Sequence, residues 1–496
     1  MIYPNKKEFL EFAKKGNLIP VYKEIISDAE TPVTAFAKIK SNYSFLLESI
    51  EGGEKIGRYS FLGADPILTF KSKGRNVEII REGKIEKKQG DPFAILKNLY
   101  QQFKAVKIPA LPRFHGGFVG YFGYDTVRFI EKIPDKNPDP LNLYDIQLML
   151  TESFLAFDHL KHKIIVIANA FIGKDPEKAY EKALNKINSI EKKVSCNLKL
   201  SEFSLPVRQA GLPKNKEVVK TKSNYSPAEF KKMVEKAKVY IKKGDIIQVV
   251  PSQRFTAEIK TDPFNVYRLL RIINPSPYLF FLNFKDTQLV GSSPEVMVRL
   301  EEKTATLRPI AGTRPRGKTQ LEDQSLEKEL LADKKEIAEH IMLVDLARND
   351  LGRVCENKSI KVEDFMTIER YSHVMHIVSN VSGKLKNNLD CFDLFKASFP
   401  AGTVSGAPKI RAMEIIDEIE KVRRTFYAGA VGYMDFAGNM DTGIAIRTIL
   451  IQDKKAYLQV GAGIVADSIP QKEYQETLNK AQGLLQAIFW ANKIKC

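Results

Sequence analysis

The stretch KKEIAEHIMLVDLARND, residues 334–350, carries two glutamates three positions apart within a helical pattern of apolar residues. A second stretch, PQKEYQETLNKAQ at 470–482, repeats this spacing. The four acids are Glu336, Glu339, Glu473 and Glu476. Residues at this spacing share one face of a helix, so four carboxylates converging from two helices would form an oxygen-rich site for a hard cation such as Mg²⁺. Either pair alone is more often a solvated helix face. The apolar continuation of both helices and the nearby Gly-rich, Arg-bearing segments favour the site.

The chain has 496 residues, of which 44% are hydrophobic, enough for a large core in two or three domains or one large α/β unit. No apolar run approaches the ~20 residues that span a bilayer, and the first residues lack the order of a secretion signal. The cysteines lack the CxxC spacing of zinc sites, and neither zinc nor disulfides are expected. They are Cys196, Cys355, Cys391 and Cys496. We therefore expect a reduced, cytoplasmic protein.

The formal charge of +17 raises nucleic acid as a partner. However, the lysines alternate with acids along helical stretches such as KKMVEKAKVYIKK, and no basic segment interleaves aromatic residues for base stacking. Such surfaces also occur in heat-adapted proteins, and a basic balance suits a small anionic substrate. We expect neither a nucleic acid nor a membrane as partner.

The order of elements predicts a mixed α/β (α+β) fold. The first ~160 residues alternate short strands and turns, with a hairpin around Glu82-Gly83 and a strand LMLTESFLAFDHL at 148–160. Residues 195–223 lose apolar periodicity. This predicts an N-terminal domain over 1–194, a linker over 195–223 and a catalytic domain over 224–490.

The second half opens with a helix signal, because Ser226, Pro227 and Glu229 form an N-cap, a first-turn proline and a capping box. Gln248 then falls in an apolar strand, where an amide is either hydrogen-bonded structurally or functional. His376 alternates within another strand, and a histidine there is more often a satisfied core residue than a catalyst.

Two further segments could hold anions. AGTVSGAPKIRAMEIIDEIE at 401–420 is a Gly-rich loop that leads into a helix, whose exposed N–H groups favour a carboxylate or phosphate. The segment 443–468 predicts a hairpin with Arg447 inside an apolar strand, paired with an internal acid or a ligand carboxylate. Gly461 and Gly463 at the end of the partner strand permit close approach of a ligand to the backbone.

Ten motifs in order over residues 225–485 resemble the chorismate-utilising enzymes. They are GDIIQVVPSQRF, INPSPYLFFL, GSSPE, RPIAGTRPRG, EHIMLVDLARNDLGRV, HVMHIVS, FPAGTVSGAPK, AIRT, VGAGIVADS and EYQETLNKA. LLES (46–49) and GRYSFLG (57–63) extend the resemblance to the N-terminal region. It implies a large two-sheet fold with the active site deep between extended sheets and an N-terminal regulatory region packed on the catalytic one.

The resemblance also implies a metal and a substrate pocket. Glu339 and Glu476 match direct magnesium ligands, and Glu336 and Glu473 match supporting carboxylates acting through water. The metal would bridge to the ring carboxylate of chorismate and neutralise it. The residues that match the substrate pocket, those gripping the enolpyruvyl carboxylate included, are Tyr427, Arg447, Gly461, Ala462, Gly463, Lys480, Ala311, Gly312 and Thr313.

Catalytic roles follow from the same matches. Glu295 matches the general acid that protonates the departing ring hydroxyl, Thr403 lies in the same pocket, and His376 matches a histidine of the pyruvate-elimination step. Water-adding relatives carry lysine at position 248, and aminodeoxychorismate-forming relatives carry lysine at 311. Gln248 and Ala311 therefore favour the members that use ammonia to make anthranilate and pyruvate, the first committed step of tryptophan biosynthesis. Aminodeoxychorismate formation, isochorismate or salicylate formation, and a non-catalytic homologue remain the alternatives, in that order.

Two partners are implied. None of the four cysteines has the Gly-flanked surroundings of a glutaminase nucleophile, so ammonia would come from free ammonium or a separate glutamine amidotransferase subunit, in a hetero-oligomer of two large and two small subunits. The resemblance also implies feedback inhibition by tryptophan. The residues that match its pocket are Ser49, Pro275, Ser276, Pro277 and Tyr278.

Overall fold

The structure, a computed structural model, describes residues 1–49, 57–196, 219–371 and 374–494. Its strands are β1 (Ile2–Tyr3), β2 (Leu18–Ile26), β3 (Tyr43–Glu48), β4 (Tyr59–Ala64), β5 (Leu68–Lys73), β6 (Asn76–Arg81), β7 (Lys84–Gln89), β8 (Gly117–Phe122), β9 (Ile146–Thr151), β10 (Ser153–Asp158), β11 (Lys163–Phe171), β12 (Lys222–Ser223), β13 (Gln248–Val249), β14 (Ser252–Glu258), β15 (Tyr278–Phe284), β16 (Thr287–Ser293), β17 (Val296–Glu301), β18 (Thr304–Leu307), β19 (Ile310–Pro315), β20 (Lys361–Arg370), β21 (Val374–Lys384), β22 (Gly406–Ala407), β23 (Ala430–Asp435), β24 (Met440–Ile444), β25 (Thr448–Gln452) and β26 (Lys455–Gly461). The helices are α1 (Lys6–Phe12), α2 (Pro32–Ile39), α3 (Pro92–Tyr100), α4 (Pro176–Val194), α5 (Pro227–Lys242), α6 (Pro263–Ile273), α7 (Gln320–Ala332), α8 (Lys334–Gly352), α9 (Cys391–Ser398), α10 (Gly402–Ser405), α11 (Lys409–Ile419) and α12 (Pro470–Ala491).

Two sheets of 12 strands each form the body of the protein. The first runs β1-β2-β11-β10-β4-β3-β15-β16-β25-β26-β14-β12. The second runs β19-β21-β18-β17-β24-β23-β8-β9-β5-β6-β7, with β20 also paired to β21. Neighbouring strands throughout the described ladders are antiparallel, as in β15 against β3 and β23 against β8. The mixed α/β (α+β) fold with two large sheets, predicted from the sequence, is confirmed.

The main core lies between the two sheets. Aromatic side chains meet across it, with ring centroids 5.9 Å apart for Phe61 and Tyr433 and 5.7 Å apart for Tyr121 and Phe284. A second core lies on the outer face of the first sheet, where α2, α4, α6 and α12 cover it. Alternate residues of one strand can therefore serve both cores, because successive side chains point to opposite faces.

The predicted hairpin is present, since Glu82 and Gly83 both have positive φ between β6 and β7. The single strand predicted over 148–160 is wrong. It is two strands, β9 in the second sheet and β10 in the first, separated at the buried Glu152. Both halves are apolar because both reach the shared core, so periodicity does not mark the crossing between sheets.

Each sheet combines strands from the predicted N-terminal and catalytic segments. β3 pairs with β15 in a register that places Glu48 opposite Leu279, and β8 pairs with β23. Most of the predicted linker, residues 197–218, lies outside the described residues. No helix that the structure describes combines the length and the apolar character needed to cross a membrane.

Candidate active site

A cavity of about 590 Å³ opens between α8, α12 and the strand ends around β13, β19 and β26. It gathers nearly all of the catalytic, substrate and metal residues that the sequence singled out. Those lining it are Gln248, Glu295, Ala311, Gly312, Thr313, Glu336, Glu339, His376, Thr403, Tyr427, Arg447, Gly461, Gly463, Glu473, Glu476 and Lys480. Ala462 is fully buried beside the cavity, in a small core with Ile246 and Ile464.

The two acidic pairs enter this cavity from two helices. Asp333 caps α8 by accepting hydrogen bonds from the backbone N–H groups of Lys335 and Glu336, which places Glu336 in the first turn. Burial, and next the charge of Glu339, raise the pKa of Glu336. On α12, burial likewise raises the pKa of Glu473. On each helix, therefore, repulsion between the two carboxylates disfavours the state in which both are ionised.

The glutamates are held by internal partners. Gln248 Nε2 donates to Glu339 Oε1 at 2.9 Å, and Lys480 Nζ lies 2.7 Å from Glu476 Oε1. Over the ranges that the structure describes, no three His, Cys, Asp or Glu side chains stand close enough to hold a metal ion as they are. Four carboxylates lining one cavity nevertheless supply the oxygen donors that Mg²⁺ prefers, and a cation would relieve the repulsion within each pair.

Glu295 is a partly buried acid of the site. Thr403 Oγ1 donates a hydrogen bond of 2.7 Å to its Oε2. Burial raises the pKa of Glu295, although Thr403 and the charges of Lys480 and Arg447 act against it. The raised pKa favours a carboxylic acid that can donate a proton into the cavity.

His376 is a neutral base in this arrangement. Burial lowers its pKa. Its Nδ1 lies 3.0 Å from the carbonyl oxygen of Gly312, which can only accept, so Nδ1 carries the proton. Its Nε2 is then the unprotonated nitrogen of the ring, and His376 lines the cavity.

Gln248 lies in β13, the short strand that pairs with β22 of the Gly-rich loop. Its Oε1 is buried and, within the described chain, has no hydrogen-bond partner. A Cβ at Gly463 would stand 2.8 Å from Gln248 Nε2, so a side chain there would displace the end of the Gln248 side chain. The amide thus presents an unsatisfied acceptor beside the acidic residues.

The sequence placed Arg447 inside an apolar strand, and this is wrong. Arg447 lies between β24 and β25 with φ +49°, and its carbonyl accepts from the backbone N–H of Ser292 at 3.1 Å. The side chain is directed to the cavity, where Nη1 donates to the carbonyl of Lys480 at 2.7 Å. Burial lowers the pKa of Arg447. Its other N–H groups make it a receptor for a carboxylate.

The residues predicted to bind tryptophan line two adjoining cavities. Pro275 and Ser276 line the large cavity, whereas Ser49 and Tyr278 line a second one of about 60 Å³ between the sheets. Pro277 lines both. The second cavity therefore lies directly behind a wall of the first.

The family model described as chorismate binding enzyme matches residues 43–486 of this chain. The chain belongs to the chorismate-binding enzymes. Among curated proteins, it is 48% identical to anthranilate synthase component 1 of Acetivibrio thermocellus over the full length of both. It is 49% identical to the protein of the same name from Aquifex aeolicus, over 97% of each chain. The crystal structure of anthranilate synthase component I from Streptococcus pneumoniae matches with a TM-score of 0.74 and 40% identity, covering 93% of this chain and 99% of that one.

Sequence reasoning missed several charged residues beside these two cavities. Arg113, Arg299 and Asp441 line the second cavity, and Arg424 lies fully buried behind the first. The signal for Arg424 was its place in KVRRTFYAG, where a charge stands six positions before the apolar strand β23. A charged residue in such a position must be paired, but its partners belong to distant segments.

Proposed function

We propose that this chain is the chorismate-converting component of an anthranilate synthase, which forms anthranilate, pyruvate and water from chorismate and ammonia. The observation that carries this proposal is the pairing of Gln248 with Glu339 inside a cavity that Ala311 also lines. An amide cannot deprotonate water, whereas ammonia is already a nucleophile. The names of the relatives, which match over full length, support the same reaction.

Substrate binding would use the cationic and glycine-lined end of the cavity. Arg447 would grip a carboxylate of chorismate, with Tyr427 and the backbone at Gly461 beside it. A Cβ at Gly461 would stand 2.7 Å from the Tyr427 hydroxyl, so the glycine keeps this wall open. Burial raises the pKa of Tyr427 to about 12, which keeps it a neutral donor.

The chemistry divides between two proton carriers. Ammonia attacks the ring carbon ortho to the carboxylate, and Glu295 gives its proton to the departing hydroxyl, which leaves as water. The Oε1 atom of Gln248 is the acceptor that would hold ammonia by one N–H. The added nitrogen then gives its extra proton to the Glu295 carboxylate. His376 Nε2 next takes the proton from the carbon that bears the new amine, the bond between the ring and the enolpyruvyl oxygen breaks, and that proton passes to the released enolpyruvate, which becomes pyruvate.

We infer that the reaction depends on magnesium. Glu339 and Glu476 would bind the ion directly, supported by Glu336 and Glu473. When bound, the ion supplies positive charge that neutralises the ring carboxylate of chorismate. The acidic lining of the cavity supports this assignment.

A separate amidotransferase subunit is the proposed source of ammonia. Glutaminase chemistry needs an activated thiolate. Burial raises the pKa of the Cys355 thiol to about 11 and that of Cys391 still further, which is the opposite of activation. Cys196 is exposed, with its thiol 3.2 Å from the Lys192 carbonyl oxygen, and the relatives are named as one component of a synthase. A chain that used glutamine as readily as ammonium would contradict this proposal.

Tryptophan is the proposed regulator. Ser49 Oγ is buried without a partner in the part of the chain that the structure describes, and it borders the second cavity beside Tyr278. Such a hydroxyl is suited to a ligand's polar group. Because Pro277 lines both cavities, a ligand in the second would act on the wall of the first.

The decisive experiment incubates the purified chain with chorismate, Mg²⁺ and ammonium at alkaline pH and identifies the product by chromatography and fluorescence. Anthranilate is expected, and its formation should be abolished by EDTA and by Glu339→Gln. Aminodeoxychorismate as product would replace this proposal by the runner-up reaction. Glu86→Gln, on the exposed strand β7, is the matched control and should retain activity.

A further inference from the structure

Among the described residues, Arg424 has the largest side chain that is fully buried, with 1% of its surface exposed. A charge in such surroundings must be paired and fully hydrogen-bonded. Glu420, four positions earlier, supplies the counter-charge, with Arg424 Nη2 2.6 Å from its Oε1. Both residues lie outside the cavity lining, so neither contacts the substrate.

The guanidinium of Arg424 holds three parts of the cavity wall from behind. Its Nη1 donates to the carbonyl of Val404 at 2.7 Å, and its Nη2 donates to the carbonyl of Val250. Both valines line the cavity, and Val404 directly follows Thr403. The Arg424 Cζ atom also lies 5.4 Å from the ring centroid of Tyr427, a third lining residue.

Glu420 extends the same network to a fourth wall segment. Its Oε1 accepts from the backbone N–H of Ser252 at 2.9 Å and from the Ser252 hydroxyl at 2.8 Å. The Ser252 hydroxyl in turn accepts from Gln459 Nε2 at 2.7 Å, and Gln459 lines the cavity. One ion pair thus joins β13–β14, α10, the segment before β23, and β26.

Such a pair is a poor device for stability alone. Buried ion pairs are often no more stabilising than apolar residues of similar size. What a guanidinium offers is a rigid planar fork whose donors fix several acceptors at once, which a lysine cannot reproduce. Catalytic groups tolerate little displacement, since a shift of about 1 Å can cost roughly 100-fold in rate.

We propose that the Arg424–Glu420 pair is a positioning element of the reaction, which sets Thr403, Tyr427 and the Gln248 strand relative to each other. This inference rests on the proposed function. It assigns no contact with chorismate to either residue. Its effect is transmitted through the carbonyl groups of Val404 and Val250 and through Ser252.

The test removes the pair without leaving a buried charge. The double variant Arg424→Met/Glu420→Leu is expected to melt within ~10 °C of the wild type, because neither charge is left unpaired. Its kcat for anthranilate should fall roughly 100-fold, and KM for chorismate should rise much less. Arg424→Lys, which keeps the charge and loses the fork, should lose kcat by about tenfold or more.

The control is an ion pair remote from the cavity, Arg58→Met/Asp158→Leu. These side chains lie 2.9 Å apart, Asp158 is buried, and neither residue lines the cavity. The control should keep kcat within about threefold of the wild type. An equal loss in the control, or a folded Arg424→Met/Glu420→Leu protein with wild-type kcat and KM, would overturn the proposal. Unfolding of both Arg424 variants would show a purely structural pair and would overturn it too.

The outcome stays separable from that of the proposed function. If the wild type converts chorismate to another product, the proposed function fails, and the same ratios of kcat are measured for that product. If the wild type turns nothing over, chorismate binding with Mg²⁺ is measured by calorimetry instead. Weaker binding in Arg424→Met/Glu420→Leu, with the control unchanged, would support positioning of the pocket, and equal binding would sink it.

Discussion

Thr403 donates its hydroxyl proton to Glu295 across 2.7 Å, and this contact joins the Gly-rich loop to the strand end after β16. It pulls the pKa of Glu295 down against the larger effect of burial, which raises it. The loop therefore tunes the acid that we propose protonates the departing ring hydroxyl. The balance is open to direct measurement.

Thr403→Val should lower kcat by about tenfold or more, because a positioned acid contributes roughly 100-fold or greater. The descending alkaline limb of the pH–rate profile should also move to higher pH. Loss of the hydrogen bond raises the pKa of Glu295 further, and the acid stays protonated for longer. Thr442→Val, which removes a buried hydroxyl that donates to the Val298 carbonyl, should leave the limb unmoved. A limb that moved to lower pH would contradict this role.

Gln248→Lys should reduce ammonia-dependent anthranilate formation by about tenfold or more and introduce a product of water addition. The new amine would pair with Glu339 and remove the free acceptor at Oε1. Products are separated by chromatography with and without ammonium. Gln288→Lys, in the first sheet and away from the cavity lining, is the control. If Gln248→Lys formed the same product as the wild type, position 248 would not determine which nucleophile reacts.

Asp435→Asn should change how stability depends on pH. Burial raises the pKa of Asp435 to about 7, above its ordinary 3.8. The folded protein binds this proton more tightly than the unfolded chain does. The resulting stabilisation is fully present below pH 3.8 and is lost as the pH rises towards 7. Relative to Asp435→Asn, the wild type should weaken over that interval by on the order of 1–4 kcal/mol. Urea midpoints measured from pH 4 to 8 test this, and parallel curves would rule it out.

The histidine beside Asp435 also affects how stability depends on pH. The His115 Nδ1 atom lies 3.6 Å from Asp435 Oδ2, and burial lowers the pKa of His115 to about 4. Its effect has the opposite sign, with stability lost as the pH falls below its ordinary 6.5. His115 is present in both proteins, so the difference between the curves reports mainly on Asp435. Asp435 Oδ1 accepts from the backbone N–H groups of Ala437 and Asn439, and an asparagine oxygen can do the same.

Ser49→Phe should abolish inhibition by tryptophan while leaving uninhibited activity within about threefold of the wild type. The phenyl ring would fill the second cavity, which measures only about 60 Å³. Inhibition curves at saturating and limiting chorismate give the coupling between the two ligands. If millimolar tryptophan left the activity of both proteins unchanged, the regulatory proposal would fail.

Local signals in the sequence predicted the pieces of this site well. The capping box at Ser226 and Glu229 is present at the start of α5, and the spacing of Glu336 and Glu339 places both on the wall of one cavity. These features depend on neighbours within one turn of helix. The nearest residues in the chain therefore suffice to specify them.

Features that depend on distant segments of the chain could not be predicted from the local sequence. Arg447 falls outside the strand with a positive φ, and its carbonyl bonds to the N–H of Ser292, a residue far away in the chain. Arg424 finds its acceptors in Val250 and Val404, far away in the chain. Hydrophobic periodicity reports burial, but it does not state which sheet or partner provides it.

Because β3 pairs with β15, the chain cannot be divided between its predicted N-terminal and catalytic segments without exposing the edge of a strand. A shortened gene for residues 224–490 alone would encode β15 without β3, and the backbone groups of Leu279–Phe284 that face β3 would lie along an open edge. Open edges of apolar strands recruit other chains. Fission or recombination at this point would thus produce an aggregating fragment, so the two segments must be inherited together.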